Sequence, residues 1–180
     1  MAVRIIYFVH GTTTDNEEGR ATGQRHGELS PPGIRQTRAL ARQVEDRTFD
    51  AVYCSDLRRA MDSAALAFGD DHPLLQDARL REIDYGDLTG KKKTWDLKTF
   101  IDTPYPGGES YRDVERRMAA FLEYLGADCQ GKRVAIVAHQ APQLALEVLL
   151  KGQTWEQAVE EDWRRTGDWQ PGWEYVLCAS

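Results

Sequence analysis

Two histidines stand out because of what precedes them. In "VRIIYFVH" a run of β-branched and aromatic residues, 3 to 9, empties into His10, and Gly11 follows at once. In "KRVAIVAH" a second apolar run, 132 to 138, empties into His139. Imidazole changes charge close to neutral pH, so a histidine released from a buried strand into a turn is a candidate for proton transfer or anion handling. A third short run, "DAVYCS", ends at 55, just before Asp56. Either histidine alone has an everyday explanation as a polar residue at a strand edge. Ligands of open α/β sheets bind beyond the carboxyl ends of the strands. If these strands are parallel neighbours, the two imidazoles and the Ser55–Asp56 pair converge there despite their separation in the chain.

The elements that must position them follow from periodicity. Residues 3 to 9 read as a strand buried on both faces, as in a parallel sheet. Residues 10 to 28 are polar and carry Gly11, Gly19, Gly23 and Gly27, which predicts a long loop. "SPPGIRQTRALARQVED" predicts a helix capped by Ser30, with Ile34, Leu40, Ala41 and Val44 at helical spacing. A strand over 50–55 precedes a helix over 56–68 that stops at Gly69. Then come a short extended piece and a loop to residue 90, with a short helix expected over 95–100. "GGESYRDVERRMAAFLEYLG" reads as a helix of about five turns, with Val114, Met118, Phe121, Leu122 and Leu125 on one face. After the strand over 132–138, "APQLALEVLL" is a helix with Pro142 in its first turn. Residues 154–163 suggest another helix, and "WEYVLCA" a last strand. Alternating strands and helices predict an α/β fold, a three-layer α/β/α sandwich around a mostly parallel sheet. With no repeat or linker composition, the expectation is a single domain over 1–180.

The totals exclude several classes. A net charge of −6 argues against a nucleic-acid binder or an anionic membrane surface, so any anionic ligand needs a local basic pocket. Cys54, Cys129 and Cys178 form no paired spacing, which argues against a zinc site and for a reducing compartment. The first residues are too short for a secretory h-region and no apolar run reaches membrane-spanning length, so a cytoplasmic protein is expected. Lys91, Lys92 and Lys93 read as a solvated loop. Trp155, Trp163, Trp169 and Trp173 read as core and rim packing.

With the flanking residues included, the sequence resembles the histidine phosphatase superfamily, which includes cofactor-dependent phosphoglycerate mutase. "HGTTTDN" is similar to the family's His-Gly signature, placing its matched positions at His10, Gly11, Thr13 and Asn16. "LSPPGIRQ" resembles its Leu-Thr-x-x-Gly-x-x-Gln block, and "SDLRR" its Ser-x-Leu-x-Arg segment, with the arginine at Arg59. "LREIDYG", "PGGESYRDV" and "VAIVAHQ" resemble three further blocks in the family's order, over roughly residues 3 to 150. The resemblance implies a phosphoglycerate mutase-like fold and phosphoryl transfer through a phosphohistidine on His10. Glu82 is implied as general acid and base, a role that calls for burial or a phosphate neighbour. Arg59 and His139 are implied to hold the phosphoryl oxygens, with Asn16, Thr13 and backbone N–H groups near Gly11 and Gln140 completing the pocket. No metal and no cofactor are implied. The expected partner is a small phosphate monoester, with no nucleic acid and no membrane, in a monomer or a homodimer.

One position departs from the pattern. The family carries an arginine immediately before its first histidine, and here that residue is Val9. Either the arginine was substituted, or one residue was lost and a bulge absorbs the slip. Arg20, Arg25 and Arg81 are candidate substitutes. Three functions remain open. The first is a metal-independent phosphomonoesterase, favoured by a segment over 88–107 too short to form a large lid. The others are a degenerate member that binds a phosphorylated ligand or partner, and a mutase. Asn16 also suits a simple Asx-turn, and Thr13 a turn hydroxyl.

Overall fold

The run VRIIYFV forms strand β1, Val3–Val9, and its alternating side chains serve both faces of the sheet. Val3, Ile5 and Tyr7 enter one core cluster, while Phe8 enters another with Ile6 packed against it. A strand buried on both sides has to lie inside a sheet covered by helices on each face. The computed structural model describes residues 1–43, 48–165 and 172–178. Among these, the other strands are β2 Ala51–Cys54, β3 Leu74–Gln76, β4 Arg133–Ala138 and β5 Trp173–Leu177. They lie in the order β3-β2-β4-β1-β5. All neighbours are parallel except β5, which runs antiparallel to β1 at the edge. The expected mostly parallel sheet is present, with one reversed edge strand.

The helices are α1 Thr14–Glu17, α2 Pro31–Gln43, α3 Arg58–Phe68, α4 Tyr111–Asp128, α5 Gln140–Lys151 and α6 Trp155–Glu160. Leu40 of α2 and Ala64, Ala67 and Phe68 of α3 pack with Phe8, Val52, Cys54, Ala135 and Val137 on one face. Val114, Met118 and Phe121 of α4, with Leu144 and Ala145 of α5, pack with Ile5, Tyr7, Tyr53 and Ile136 on the other. Two cores on two faces make the three layers. Each large apolar side chain buried this way stabilises the fold by about 1.5–3 kcal/mol.

Local expectations hold with a few differences. The five α4 residues named from periodicity are all buried, and Ser110 caps the helix in a reciprocal pair with Asp113. Ser30 Oγ accepts from the Gly33 N–H at the start of α2. Val44, the Ala41 side chain and Trp169 lie outside the described residues. Gly69 ends α3 with φ −63°, in the right-handed region rather than the left-handed cap that glycine permits. Within 95–100 the chain makes only a tight 3-10 turn, Leu97–Phe100, capped by Asp96. Trp155 is a core residue as expected, its indole N–H donating to Glu115 at 2.6 Å. Among the described residues no helix is long and apolar enough to cross a membrane.

Topology brings the two histidines together. Val9 pairs with Ala138, so β1 and β4 end in register and His10 and His139 leave the sheet side by side. The His10 N–H continues the ladder to the Ala138 carbonyl at 3.0 Å. The pairing is uninterrupted through Val9, with no bulge at the end of β1 against β4. The first turn of α3, which follows β2, arrives from the other flank of β4. The α2 start is pressed against the loop after His10: a Cβ on Gly33 would sit 1.9 Å from the Thr12 carbonyl oxygen. Only glycine fits that approach.

Candidate functional site

His10 lies at the floor of a cavity of about 230 Å³ that Arg59, Glu82 and Asn16 also line. Its Nδ1 is 2.7 Å from the Gly11 carbonyl oxygen. An oxygen that only accepts requires Nδ1 to carry the proton, which leaves Nε2 unprotonated, with its lone pair as an acceptor. Burial pushes the His10 pKa down to about 3, with Arg59 and Arg164 acting in the same direction against the Gly11 carbonyl. The ring is therefore neutral at physiological pH. His139 is fully buried, its ring centroid 5.1 Å from that of His10. Both its ring nitrogens lack a hydrogen-bond partner among the described residues. Burial, then Arg59 and His10, hold its pKa well below the usual imidazole value. Its backbone is fixed by Tyr7, whose hydroxyl accepts from the His139 N–H and donates to the His139 carbonyl.

Arg59 sits in the first turn of α3 and is only 2% exposed. Its Nε donates to His10 Nε2 at 3.3 Å, and its Nη groups donate to the Gly23 and Arg25 carbonyls at 2.7 and 2.8 Å. No carboxylate among the described residues is paired with it. Gly23 turns its carbonyl toward Arg59 from a left-handed backbone, φ +56°, that favours glycine. A guanidinium buried on two carbonyls and an imidazole nitrogen is suited to receive an anion, since a buried charge needs a partner. Ser63 ties α3 to the His10 loop, accepting from the Gly11 N–H and donating to the Arg59 carbonyl.

Glu82 is buried, and its carboxylate faces the start of α5. Oε1 accepts from the Ile83 and Ala141 N–H groups at 3.0 and 2.9 Å, and Oε2 from the Gln140 N–H at 3.3 Å. Its loop is pinned by Glu109, which accepts from the Asp84 N–H and from the Arg117 guanidinium. The Pro-Gly-Gly-Glu-Ser block thus holds Glu82 in place.

Three expected phosphate contacts are used otherwise, and a fourth in part. The Gly11 N–H is taken by Ser63, and the Gln140 N–H by Glu82. Thr13 is fully buried and off the cavity wall, where its hydroxyl caps α1 by accepting from the Asn16 N–H. Asn16 lines the cavity, but its Oδ1 accepts from the Thr13 N–H in the same capping box. The turn explanation accounts for the Thr13 hydroxyl and the Asn16 Oδ1, while the cap leaves the Asn16 Nδ2 donors unused. Thr12, one residue earlier, does line the cavity, its N–H and hydroxyl both donating to Gln36.

The second cationic wall was not legible. Of the three candidate replacements for the missing arginine, Arg81 is held by Asp56 through two hydrogen bonds and Arg25 points at Asp15, and neither lines the cavity. Arg20 lines it, with its Nε engaged by Glu18 at 2.7 Å. Lys93 and Arg164 also line it, and Trp163 beside them. Lys93 thus departs from the solvated loop expected of the lysine run, and Trp163 from simple packing. Lys91 and Lys92 are exposed, while the Lys93 ammonium turns inward to the Gln140 side-chain oxygen at 2.9 Å. An isolated bridge between Arg20 and Lys92 makes this segment extended, and alternation along an extended chain sends neighbours 92 and 93 to opposite sides. Burial lowers the Lys93 pKa, and Glu82 opposes this. Among the described residues no three His, Cys, Asp or Glu side chains are grouped to hold a metal.

Residues 6–167 match the histidine phosphatase superfamily (branch 1). The chain is 34% identical to a 2,3-bisphosphoglycerate-dependent phosphoglycerate mutase of Methylobacterium sp. (strain 4-46), over 84% of this chain and 82% of that protein. It is 27% identical to phosphoserine phosphatase 1 of Hydrogenobacter thermophilus, over 83% and 77% of the two chains. Its fold is similar to that of a mycobacterial glucosyl-3-phosphoglycerate phosphatase, with a TM-score of 0.75, 30% identity and coverage of 89% and 84%.

Proposed function

The chain belongs to the histidine phosphatase superfamily, and from that premise we propose that it is a phosphomonoesterase acting on small phosphorylated metabolites through a phosphohistidine on His10. The observation that carries this reading is the contact of Arg59 with His10: a buried cation with no carboxylate partner among the described residues, at 3.3 Å from a neutral imidazole nitrogen. A phosphoryl group bound there meets nucleophile and charge together.

His10 Nε2 attacks phosphorus and the bond to the ester oxygen breaks. Neutral imidazole does this without first losing a proton. The departing oxygen takes a proton from Glu82 in its acid form, and the second step returns it: water attacks the phosphohistidine, gives its proton to Glu82, and the N–P bond breaks. Arg59 and His139 stabilise the equatorial oxygens, where the transition-state charge resides. The three N–H groups on Glu82 and the Tyr7 clasp on His139 fix these groups before substrate arrives.

A mutase is the second reading, favoured by the 34% identity to a phosphoglycerate mutase. The test is hydrolysis of p-nitrophenyl phosphate in EDTA by wild type and His10→Ala, with 3-phosphoglycerate followed in parallel for both phosphate release and isomerisation. Metal-independent phosphate release that depends on His10 is expected. Isomer formation without net phosphate release moves the assignment to the mutase, and no reaction with either ester moves it to a protein that only binds phosphate esters.

A further inference from the structure

Resting on the reading of this cavity as a phosphate-ester site, we propose that the Gln140 side chain selects its ligands by size. It is a strap that divides the His10 cavity from the groove outside, so that only esters whose organic part fits the inner space are admitted. The inner cavity, lined by His10, Arg59 and Glu82, has a volume of about 230 Å³. An outer groove of about 500 Å³, lined by Trp95, Leu97 and Val159, adjoins it. Gln140, Lys93 and Arg164 line both, so these three side chains stand between the two spaces. Sites for drug-sized ligands run from about 300 to 1,000 Å³. The inner cavity alone falls below that range, and joined to the groove it would fall within it.

Gln140 is the member that joins the two sides. Its Oε1 accepts from the Lys93 ammonium at 2.9 Å, and its Nε2 donates to Asp162 Oδ2. The other oxygen of Asp162 forms an ion pair with Arg164 Nη1 at 2.7 Å. An ammonium only donates and an ionised carboxylate only accepts. The side chain between them has to offer one acceptor and one donor at its tip, as a primary amide does, and this fixes which way the amide points. Both contacts involve a charged partner, which makes them stronger than contacts between neutral groups. The anchors are themselves held. The Lys93 backbone N–H donates to the Gly19 carbonyl at 2.9 Å. Asp162 is 5% exposed and also accepts from the Arg164 backbone N–H. Gln140 opens α5, with its own N–H on Glu82 Oε2. Beyond the strap, the Trp95 indole N–H donates to the Tyr105 hydroxyl at 2.9 Å, which fixes the wall of the groove.

The test is equilibrium binding by calorimetry in the His10→Ala chain, where no phosphohistidine forms, with inorganic phosphate, phenyl phosphate and biphenyl-4-yl phosphate. The two esters carry the same charge and differ by one rigid ring along a single axis. Phenyl phosphate is expected to bind about tenfold tighter or more than the longer ester. Adding Gln140→Ala, which keeps the backbone N–H for Glu82, should bring the two within about threefold of each other. Lys93→Met releases the strap at one end and leaves the start of α5 intact, and it should move the ratio the same way by less. Equal affinities in the parent overturn the proposal. So does an equal weakening of both esters by Gln140→Ala, which would make Gln140 a support for the site and not a divider. Phosphate binding without a size preference counts against the strap alone, whereas a chain that binds neither phosphate nor either ester removes the phosphate-ester reading and the strap with it. Because nothing turns over in this assay, failure of wild-type hydrolysis would count against the phosphatase reading alone.

Discussion

The two cationic walls of the cavity are built by different means. Arg59 comes from the first turn of a helix packed on the sheet, and backbone carbonyls of Gly23 and Arg25 hold it. Arg164 and Lys93 come from outer segments, and side chains hold them: Gln140, Gln143 and Asp162. A group clasped by backbone can vary little without changing the fold. A group clasped by side chains can be re-set by single substitutions. The first wall suits chemistry common to a family, and the second suits selection of one ligand over another.

Substitutions on the two walls should therefore differ in kind. The largest effect belongs to His10: His10→Ala should lower kcat on p-nitrophenyl phosphate by ~10⁴-fold or more, as loss of a nucleophile does. Next is Arg59→Met, expected to cost ~10²–10³ in kcat for every ester tested, since a donor to the transition state is lost whatever the leaving group. If Arg59→Met instead changes the ranking of esters while sparing kcat, the division between walls is wrong.

A pH dependence of stability should follow from the first wall. The folded pKa of His10 is lowered from 6.5 to about 3, and that of His139 lies well below 6.5. Below about pH 6.5 the unfolded chain binds protons that the folded chain refuses, so stability falls as pH drops through that value toward 3. From pH 7 to 5 the loss from His10 should be about 2 kcal/mol, and His139 adds to it in the same direction. Urea unfolding across that range checks it, and His10→Asn should reduce the slope by the His10 share. Inorganic phosphate should protect at the acid end. The smallest effect is Asn16→Ala. It removes a capping side chain and should cost ~0.5–2 kcal/mol of stability, while p-nitrophenyl phosphate turnover in the folded variant changes by less than about threefold. A loss as large as that of Arg59→Met would return Asn16 to the phosphate site.

What the sequence disclosed tracks this same division. The strands ending at His10 and His139 are apolar on both faces, so their burial in a mostly parallel sheet was readable from pattern, while their being neighbours that share one rim was a condition that only the register of β1 on β4 meets. Arg59 and Glu82 were reached through the resemblance, because neither carries a signal apart from its neighbours. The N–H accounting was not readable: that Ser63 takes Gly11 and Glu82 takes Gln140 depends on how helices seat against loops. Lys93 was hidden in a run of like charges, where only the bridge between Arg20 and Lys92 decides which lysine turns inward. Arg164 sits among charged and aromatic residues, and its place at the cavity rests on tertiary packing of the segment after α6. The reversed direction of β5 had no local mark either, since edge pairing is set by where the chain returns.

The most direct test of the account is intact-mass spectrometry of the protein quenched at alkaline pH within one turnover of a phosphate ester. A single added phosphoryl group is predicted, stable in base, lost in acid, and absent from His10→Ala. Turnover without any such adduct, or an adduct that persists in the His10→Ala chain, would contradict phosphoryl transfer through His10.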